Sequence, residues 1–374
     1  MNESTKSILI GCYEIPGFGG ASTATYKLFE MMQADGVEVR LFNLINPKDV
    51  PFFRYAYGED YGNPRRLAQV ANCLLDHPPG AGDAALAKMI RDAGPDLMLG
   101  VGYIAARLMK NAAPEIPLAF LTTGSFQAEQ LIARGTAKDA ASLLRFLQRA
   151  VNVRQRFQER QMTEIIEKAD LILTHSPLTK SLFECFFPYH TEKFYTQIVW
   201  FAEWIYEDAR QYAHLQLPFP ERDIDLLFLA SSWKRPEKNF AFVEKIVKQF
   251  KHRSIHIAGE YTRRLPNTVF HGLVADRDEL FRLMGRSKTV VCPSLIDAAP
   301  GILFEASAMG CNIVTSRNCG NWQLCHPQLL VHPATARNFI EKTALSLEKK
   351  FEDNIAYFLA KNAYRDLVET LQVL

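Results

Sequence analysis

Two series of short apolar runs, each alternating with helical segments, limit this chain more than any other feature of its sequence. In the first half, residues 7–12 form an apolar run, a Gly-rich stretch follows at 13–20, and a helical segment at 21–34 is stopped by Asp35 and Gly36. Val37, Val39 and Leu41 then alternate as a second strand, and further strands are expected at 96–101, 117–122, 170–174 and 198–201. A second series begins at 225–230 and continues at 254–258, 268–271, 289–292 and 312–315. Strands separated by helices pair in parallel through βαβ crossovers. The expected class is therefore α/β with two Rossmann-like halves, 1–204 and 225–351, joined by a linker at 205–224. Pro218 and Pro220 mark that linker as a hinge.

The chemistry concentrates in 292–320, CPSLIDAAPGILFEASAMGCNIVTSRNCG. Asp297 lies in a loop, Pro300 and Gly301 open a helix, and Gly310 suits its end. Glu305 falls within a helical run that is otherwise small or apolar. The first amides of a helix have no partners inside it, so they bind anions or oxygen-rich ligands. A carboxylate on an apolar helix is costly to bury unless something hydrogen-bonds to it. Together these point to a polyhydroxylated, phosphorylated ligand held between Asp297 and Glu305; the plainer alternative is that Glu305 faces water. A second feature is the loop GFGGAS at 17–22, which follows a strand, opens a helix and nearly matches G-x-G-x-x-G. A dinucleotide site needs an acid at the end of the second strand, where Asn43, Leu44 and Ile45 stand. That disfavours a nicotinamide or flavin enzyme and leaves a phosphate-binding loop or a tight turn without a ligand.

An acid, seven residues, a Glu, then A-x-x-x-G and the strand NIVTS resemble the donor-site signature of retaining glycosyltransferases of the GT-B fold, family 4 most nearly. The resemblance implies two Rossmann-like domains facing across a cleft, the first completed by a terminal helix at 352–374. It also implies transfer of a sugar from a nucleotide-diphosphate donor to a hydroxyl acceptor with retention at the anomeric carbon. In that scheme the departing diphosphate takes the acceptor's proton. Asp297 would hold the donor sugar with Pro300 and the amides of Gly301, Ile302 and Leu303, and Glu305 would bind the ribose hydroxyls. Gly19 and Gly20 would let the backbone approach the diphosphate and the acceptor. Lys238, followed by Asn239, matches a Lys-Gly pair that contacts the diphosphate.

The chain departs from that pattern at three places. Asp297 replaces a Glu, one methylene shorter. Ala230-Ser231 replaces a Gly-Arg pair, leaving Ser231 as a hydrogen-bond donor and Arg235 or Lys234 as the second cation. Charge gathers on a departing diphosphate, so a cation is needed there. Thr123, in AFLTTGSFQ, stands where relatives carry a His that contacts the donor sugar. Thr donates one hydrogen bond but takes up no proton near neutral pH, so Thr123 joins Asp297 and Lys238 as a catalytic candidate, with Gly124 and Ser125 shaping the pocket. His175, ending the strand LILTH, either faces the cleft or is satisfied by the turn at Ser176 and Pro177. Residues 259–260 and 271–272 fall where relatives place loops near the nucleotide base. The resemblance implies no cofactor and no obligatory metal, the helix amides and Lys238 standing in for a divalent cation.

Composition adds exclusions. A chain of 374 residues is long enough for two cores, and its hydrophobic share of 48% comes without the long apolar run of a membrane span. The start, MNESTKSILIGC, is too short and polar for a secretory signal. A net charge of +2 is no footprint for nucleic acid. Seven cysteines without C-x-x-C pairs indicate neither a disulfide framework nor a zinc site, and Cys311, Cys319 and Cys325 are expected as buried thiols. A cytoplasmic enzyme is expected. Residues 127–169 carry dispersed arginines over an apolar counterpart, read either as peripheral contact with the inner face of a membrane or as an ordinary solvated face. The aromatic segment 51–62 is an acceptor loop or a packed excursion. The partners are a nucleotide sugar and a carbohydrate, lipid-linked or small-molecule hydroxyl acceptor. Two other functions suit the same residues: a nucleotide-sugar hydrolase or epimerase, and a non-catalytic nucleotide-sugar-binding protein.

Overall fold

The computed structural model of the chain describes residues 6–13, 19–44, 83–122, 153–196, 199–261 and 263–374. Two parallel sheets organise it, one in each half. The first has the order β2-β1-β3-β4-β5-β6, from β1 (Ile8–Cys12), β2 (Val39–Asn43), β3 (Leu97–Val101), β4 (Leu118–Leu121), β5 (Leu171–Thr174) and β6 (Phe194–Thr196). Strands β1, β3 and β4 are buried at every position. A parallel sheet is covered by helices on both faces, so its strands read as unbroken apolar runs rather than alternating ones. The covering helices are α1 (Gly19–Ala34), α2 (Asp83–Ala93), α3 (Tyr103–Ala112), α4 (Val153–Lys168) and α5 (Pro177–Phe186). Helix α3 lies so close to β3 that a Cβ on Gly100 would sit 2.4 Å from the Cα of Ala106.

After α6 (Ala202–Arg210), the second sheet has the order β11-β10-β7-β8-β9. Its strands are β7 (Ile224–Ser232), β8 (Ile255–Glu260), β9 (Val269–Gly272), β10 (Ser287–Cys292) and β11 (Asn312–Thr315). They alternate with α7 (Phe240–Gln249), α8 (Arg277–Gly285) and α9 (Ile302–Ala308), and α10 (Ala336–Ser346) follows. One apolar core runs from a face of the first sheet through Trp200 and Phe201 into the second sheet, and a smaller core covers the first sheet's other face.

Three expectations need correction or refinement. Residues 199–201 are not a strand: they form a turn into α6, and the last strand of the first sheet is the short edge strand β6. The apolar run there is used instead for burial between the domains, with Trp200 at 2% exposure. The supposed hinge is also packed. Leu217 N donates to Gly285 O at 3.0 Å, Gln216 Nε2 to Ala308 O at 2.6 Å, and the buried Arg222 to the carbonyls of Leu217, Ser287 and Met309. These bonds fasten the segment to the second sheet's helices. The terminal helix is divided at Asn362, which has φ 46, into α11 (Ile355–Leu359) and α12 (Ala363–Val373). Phe358 of α11 meets Phe304 of α9 edge-on at 5.0 Å. Helix α12 reaches the first domain, where Gln372 Oε1 accepts from Lys6 N at 2.7 Å and Asp366 from Tyr195 at 3.3 Å. Most of 127–169, and all of 51–62, lies outside the described residues. Among the described residues no helix is long and apolar enough to cross a membrane.

Candidate functional site

In the second sheet the strand order reverses between β10 and β7. Chains leaving two such neighbours diverge at their carboxyl ends, and the crevice between them is where open α/β sheets bind ligands. The loops after β7 and β10 are stitched together: Leu295 N donates to Glu237 O at 2.8 Å, and Asn239 Nδ2 to Pro293 O at 2.9 Å. Asn239 has φ 58, a left-handed conformation that Asn tolerates and that a Gly would supply in the resembled pattern. The preceding residue, Lys238, is thereby turned toward the second loop, and its Nζ lies 2.5 Å from Asp297 Oδ2. The two side chains are 18% and 14% exposed. Burial pulls the Lys238 ammonium down, but the Asp297 charge, together with Cys292 and the hydrogen bond to Asp297, outweighs it, so the net direction is up and Lys238 stays charged at neutral pH.

Asp297 is anchored through its backbone, its N–H donating to Asn318 O at 3.0 Å and its carbonyl accepting from Gly320 N at 2.9 Å. The Pro300 carbonyl accepts from the buried Asn321 Nδ2 and from Leu303 N, so the Leu303 amide is already engaged. Among the described residues, the N–H groups of Gly301 and Ile302 have no protein acceptor. Helix α9 ends at Gly310, φ 61, where Cys311 N bonds back to Ala306 O and Gly310 N to Ser307 O, a paired arrangement that satisfies the last carbonyls.

Glu305 faces away from bulk water, its side chain only 16% exposed. No described residue donates a hydrogen bond to its carboxylate; Arg277 Nη1 stands 4.0 Å from Oε1. Burial raises the Glu305 pKa, Arg277 draws it down and Asp208 pushes it up, with a net rise. Arg277 in turn donates to Asp208 of α6 and lies over the ring of Phe281 at 5.0 Å. Sequence reasoning missed both Arg277 and Asp208. One signal was available: Arg277 is the first residue of α8, the end of a helix where a cation is unfavourable.

The other expected residues are less concentrated. Ser231 is exposed near the end of β7, Arg235 pairs with Glu237, and Lys234 with Glu260. Ile302 is half-buried and the Leu303 side chain fully buried. Gly19 and Gly20 form the first turn of α1 rather than the loop before it. Thr123, Gly124 and Ser125, with 14–18 of the glycine loop, lie outside the described residues. Near 259–260 and 271–272, His271 Nε2 sits 2.9 Å from His256 Nδ1; burial, then the neighbouring His271, lowers His256 to about 4.

Between the domains lies a cavity of about 150 Å³ that joins Asp297, Ala298, Ala299 and Gly301 to the carboxyl ends of β3, β4 and β5. His175 lines it, edge-on to Phe201 at 5.6 Å. Burial lowers the imidazole to about 4, so His175 is neutral at physiological pH, and its buried Nδ1 has no hydrogen-bond partner among the described residues. Of the two readings of His175, the structure supports the cleft-facing one. Ser176 Oγ caps α5 and donates to Ala298 O at 3.1 Å, tying the domains beside Asp297. Beneath the site, Cys292 Sγ and Cys319 Sγ are 3.9 Å apart; the hydrogen bond between them lowers Cys292 and raises Cys319. Cys311 and Cys325 are buried thiols as well. Among the described residues, no group of three His, Cys, Asp or Glu side chains is placed to hold a metal ion.

Two parallel-sheet domains facing across a cleft, with a packed linker and a final helix returning to the first, define the GT-B architecture of glycosyltransferases. Within that architecture residues 223–349, nearly the whole of the second domain, match the family model of glycosyl transferases group 1. Sucrose-phosphate synthase from Thermosynechococcus elongatus superposes with a TM-score of 0.61 at 15% identity, over 98% of this chain and 95% of that one. WaaG, a glycosyltransferase involved in lipopolysaccharide biosynthesis, gives 0.54 at 14% identity, over 98% and 97%. Anabaena Alr3699/HepE, solved in complex with UDP and glucose, gives 0.56 at 14% identity, over 99% and 100%. No curated protein matches the sequence.

Proposed function

We propose that the protein transfers a sugar from a nucleotide-diphosphate donor to a hydroxyl acceptor, with retention of anomeric configuration and without a bound metal. The observation that carries this reading is Glu305, a largely buried carboxylate to which no described residue donates a hydrogen bond. Such a group costs stability unless a ligand supplies the missing donors, and a ribose diol supplies two. The open amides of Gly301 and Ile302 and the charged Lys238 suit the oxygens of a diphosphate. Asp297 suits the hydroxyls of the transferred sugar, which faces the interdomain cavity. Donor entry then exchanges the Lys238–Asp297 pair for two ligand contacts, cation to diphosphate and carboxylate to sugar. As the glycosidic C–O bond breaks, negative charge gathers on the diphosphate, where Lys238 and the two amides oppose it. His175, neutral and lining the cavity, is suited to hydrogen bonding and not to carrying a positive charge. The acceptor's proton passes to the departing diphosphate. Peripheral attachment to a membrane through 127–169 belongs to the same proposal, for a lipid-linked acceptor.

The test is thermal stabilisation by UDP, GDP, ADP, CDP and dTDP, each with and without EDTA, since a ligand that binds only the folded state raises its apparent stability. Selective stabilisation by one diphosphate, indifferent to EDTA and lost in Glu305→Ala, is the expected result. Stabilisation that survives Glu305→Ala removes the donor-site assignment. Consumption of a nucleotide sugar without any acceptor would favour a hydrolase or epimerase.

A further inference from the structure

Resting on the reading of Glu305 as a ligand for ribose hydroxyls, we propose that Asp208 and Arg277 are a positioning pair: Arg277 holds Glu305 as an ionised acceptor, and Asp208 holds Arg277 back from closing on it. Three elements distant in sequence converge here. Glu305 belongs to α9, Arg277 opens α8, and Asp208 lies in the last turn of α6. Arg277 Nη2 donates to Asp208 Oδ2, and the guanidinium lies over Phe281 at 5.0 Å and Tyr212 at 5.9 Å. These contacts fix both its direction and its plane. Nη1 is left 4.0 Å from Glu305 Oε1, beyond hydrogen-bond reach but within the cation's field.

That distance has chemical meaning. A guanidinium has five N–H donors and grips a carboxylate through two of them when it is free to do so. Had Arg277 gripped Glu305, one acceptor site on each oxygen would be taken and a ligand diol would have to compete with a cation for the carboxylate. Had Arg277 been absent, the buried carboxylate would take up a proton more readily and lose acceptor capacity. The tether to Asp208 gives Glu305 the stabilising charge without the competing bond. Among the described residues, Arg277 and Asp208 are the charged groups that act on Glu305.

The two partners are expected to fail differently, and full-length variants distinguish them. Nucleotide affinity is measured by calorimetry with UDP, GDP, ADP, CDP and dTDP across neutral pH. Arg277→Ala is expected to lose affinity as pH falls, by at least about threefold more than wild type and by no more than about tenfold per pH unit, the limit for one proton. Asp208→Ala is expected to weaken binding at every pH by at least about threefold, through capture of Glu305 by the released guanidinium. Adding Arg277→Ala to Asp208→Ala removes the captor and restores affinity at the alkaline end. Arg277→Lys, which keeps the charge but not the fork, recovers the wild-type pH profile.

A second readout needs no nucleotide. Without Arg277 the folded state holds the Glu305 proton to higher pH, so thermal stability falls more steeply as pH rises from about 5 to 8, and Glu305→Gln in the same chain abolishes the extra slope. Wild-type affinity in Asp208→Ala, or a nucleotide-free slope in Arg277→Ala equal to that of wild type, overturns the pair. Unchanged nucleotide affinity in Glu305→Ala would instead remove the donor-site reading, while the nucleotide-free slopes still decide whether Arg277 governs the charge of Glu305.

Discussion

Replacing Glu305 with Gln is expected to stabilise the protein while disabling it. The carboxylate is 16% exposed and receives no hydrogen bond from a described residue. An unsatisfied buried polar group costs roughly 1–3 kcal/mol, and more when charged. Arg277 returns part of that at 4.0 Å, but its side chain is 45% exposed. Solvent screening limits that attraction to about 1 kcal/mol. The amide keeps the shape and removes the charge, so a net gain of about 1–2 kcal/mol is expected at neutral pH. Glu305 has its pKa raised in the folded state. Ionisation therefore costs nothing below the unfolded value, near the ordinary 4.5, and the full penalty applies only above the folded one. The Gln variant should accordingly match wild type in acid and exceed it at neutral pH, by roughly 1–3 °C in Tm. Scanning calorimetry across that range, beside a donor-binding assay, checks both halves. A Gln variant less stable than wild type at neutral pH would refute the reasoning, because it would mean that Glu305 is already satisfied within the protein.

Lys238→Met is expected to act with the opposite sign, destabilising by about 1–3 kcal/mol because it leaves Asp297 without its partner, and weakening diphosphate binding at least about tenfold; thermal melts and calorimetry measure both. Gly320→Ala places a Cβ within 1.8 Å of Ala298 O and 2.4 Å of Ser176 Oγ, so a loss of about 1–3 kcal/mol and impaired donor binding are expected in denaturant titration and calorimetry. At Asn239, φ 58 makes Ala worse than Gly by about 1 kcal/mol or more, since Gly keeps the left-handed turn and loses only the bond to Pro293. Equal stability of the two variants in urea titrations would show that the turn does not depend on that conformation.

Much of the fold was legible because the signals that specify it are local. Apolar runs of strand length, broken by helical periodicity, gave β7 and β10 within a residue or two at their starts, and β11 at 312–315 without adjustment. The acid pair in the second half was legible for the same reason, since Pro300, Gly301 and Gly310 mark a helix start and stop that needs no distant partner. Where local signals and packing disagreed, packing prevailed. Residues 199–201 have the apolar character of a strand, yet Trp200 and Phe201 serve the contact between domains, and the short run at Phe194–Thr196 takes the sheet edge.

The sequence by itself determined the two parallel halves, the helix that carries Glu305, and the loop that carries Asp297, because strand and helix propensity, glycine turns and helix caps act between near neighbours. Only the tertiary structure decided what those residues face. The order reversal in the second sheet brings Lys238 to Asp297, the domain contact sets His175 above Ala298 and Gly301, and the packed linker brings Asp208 to Arg277 beside Glu305. Charge and burial depend on distance in space, and in this chain those distances are set by strand order and by packing between domains.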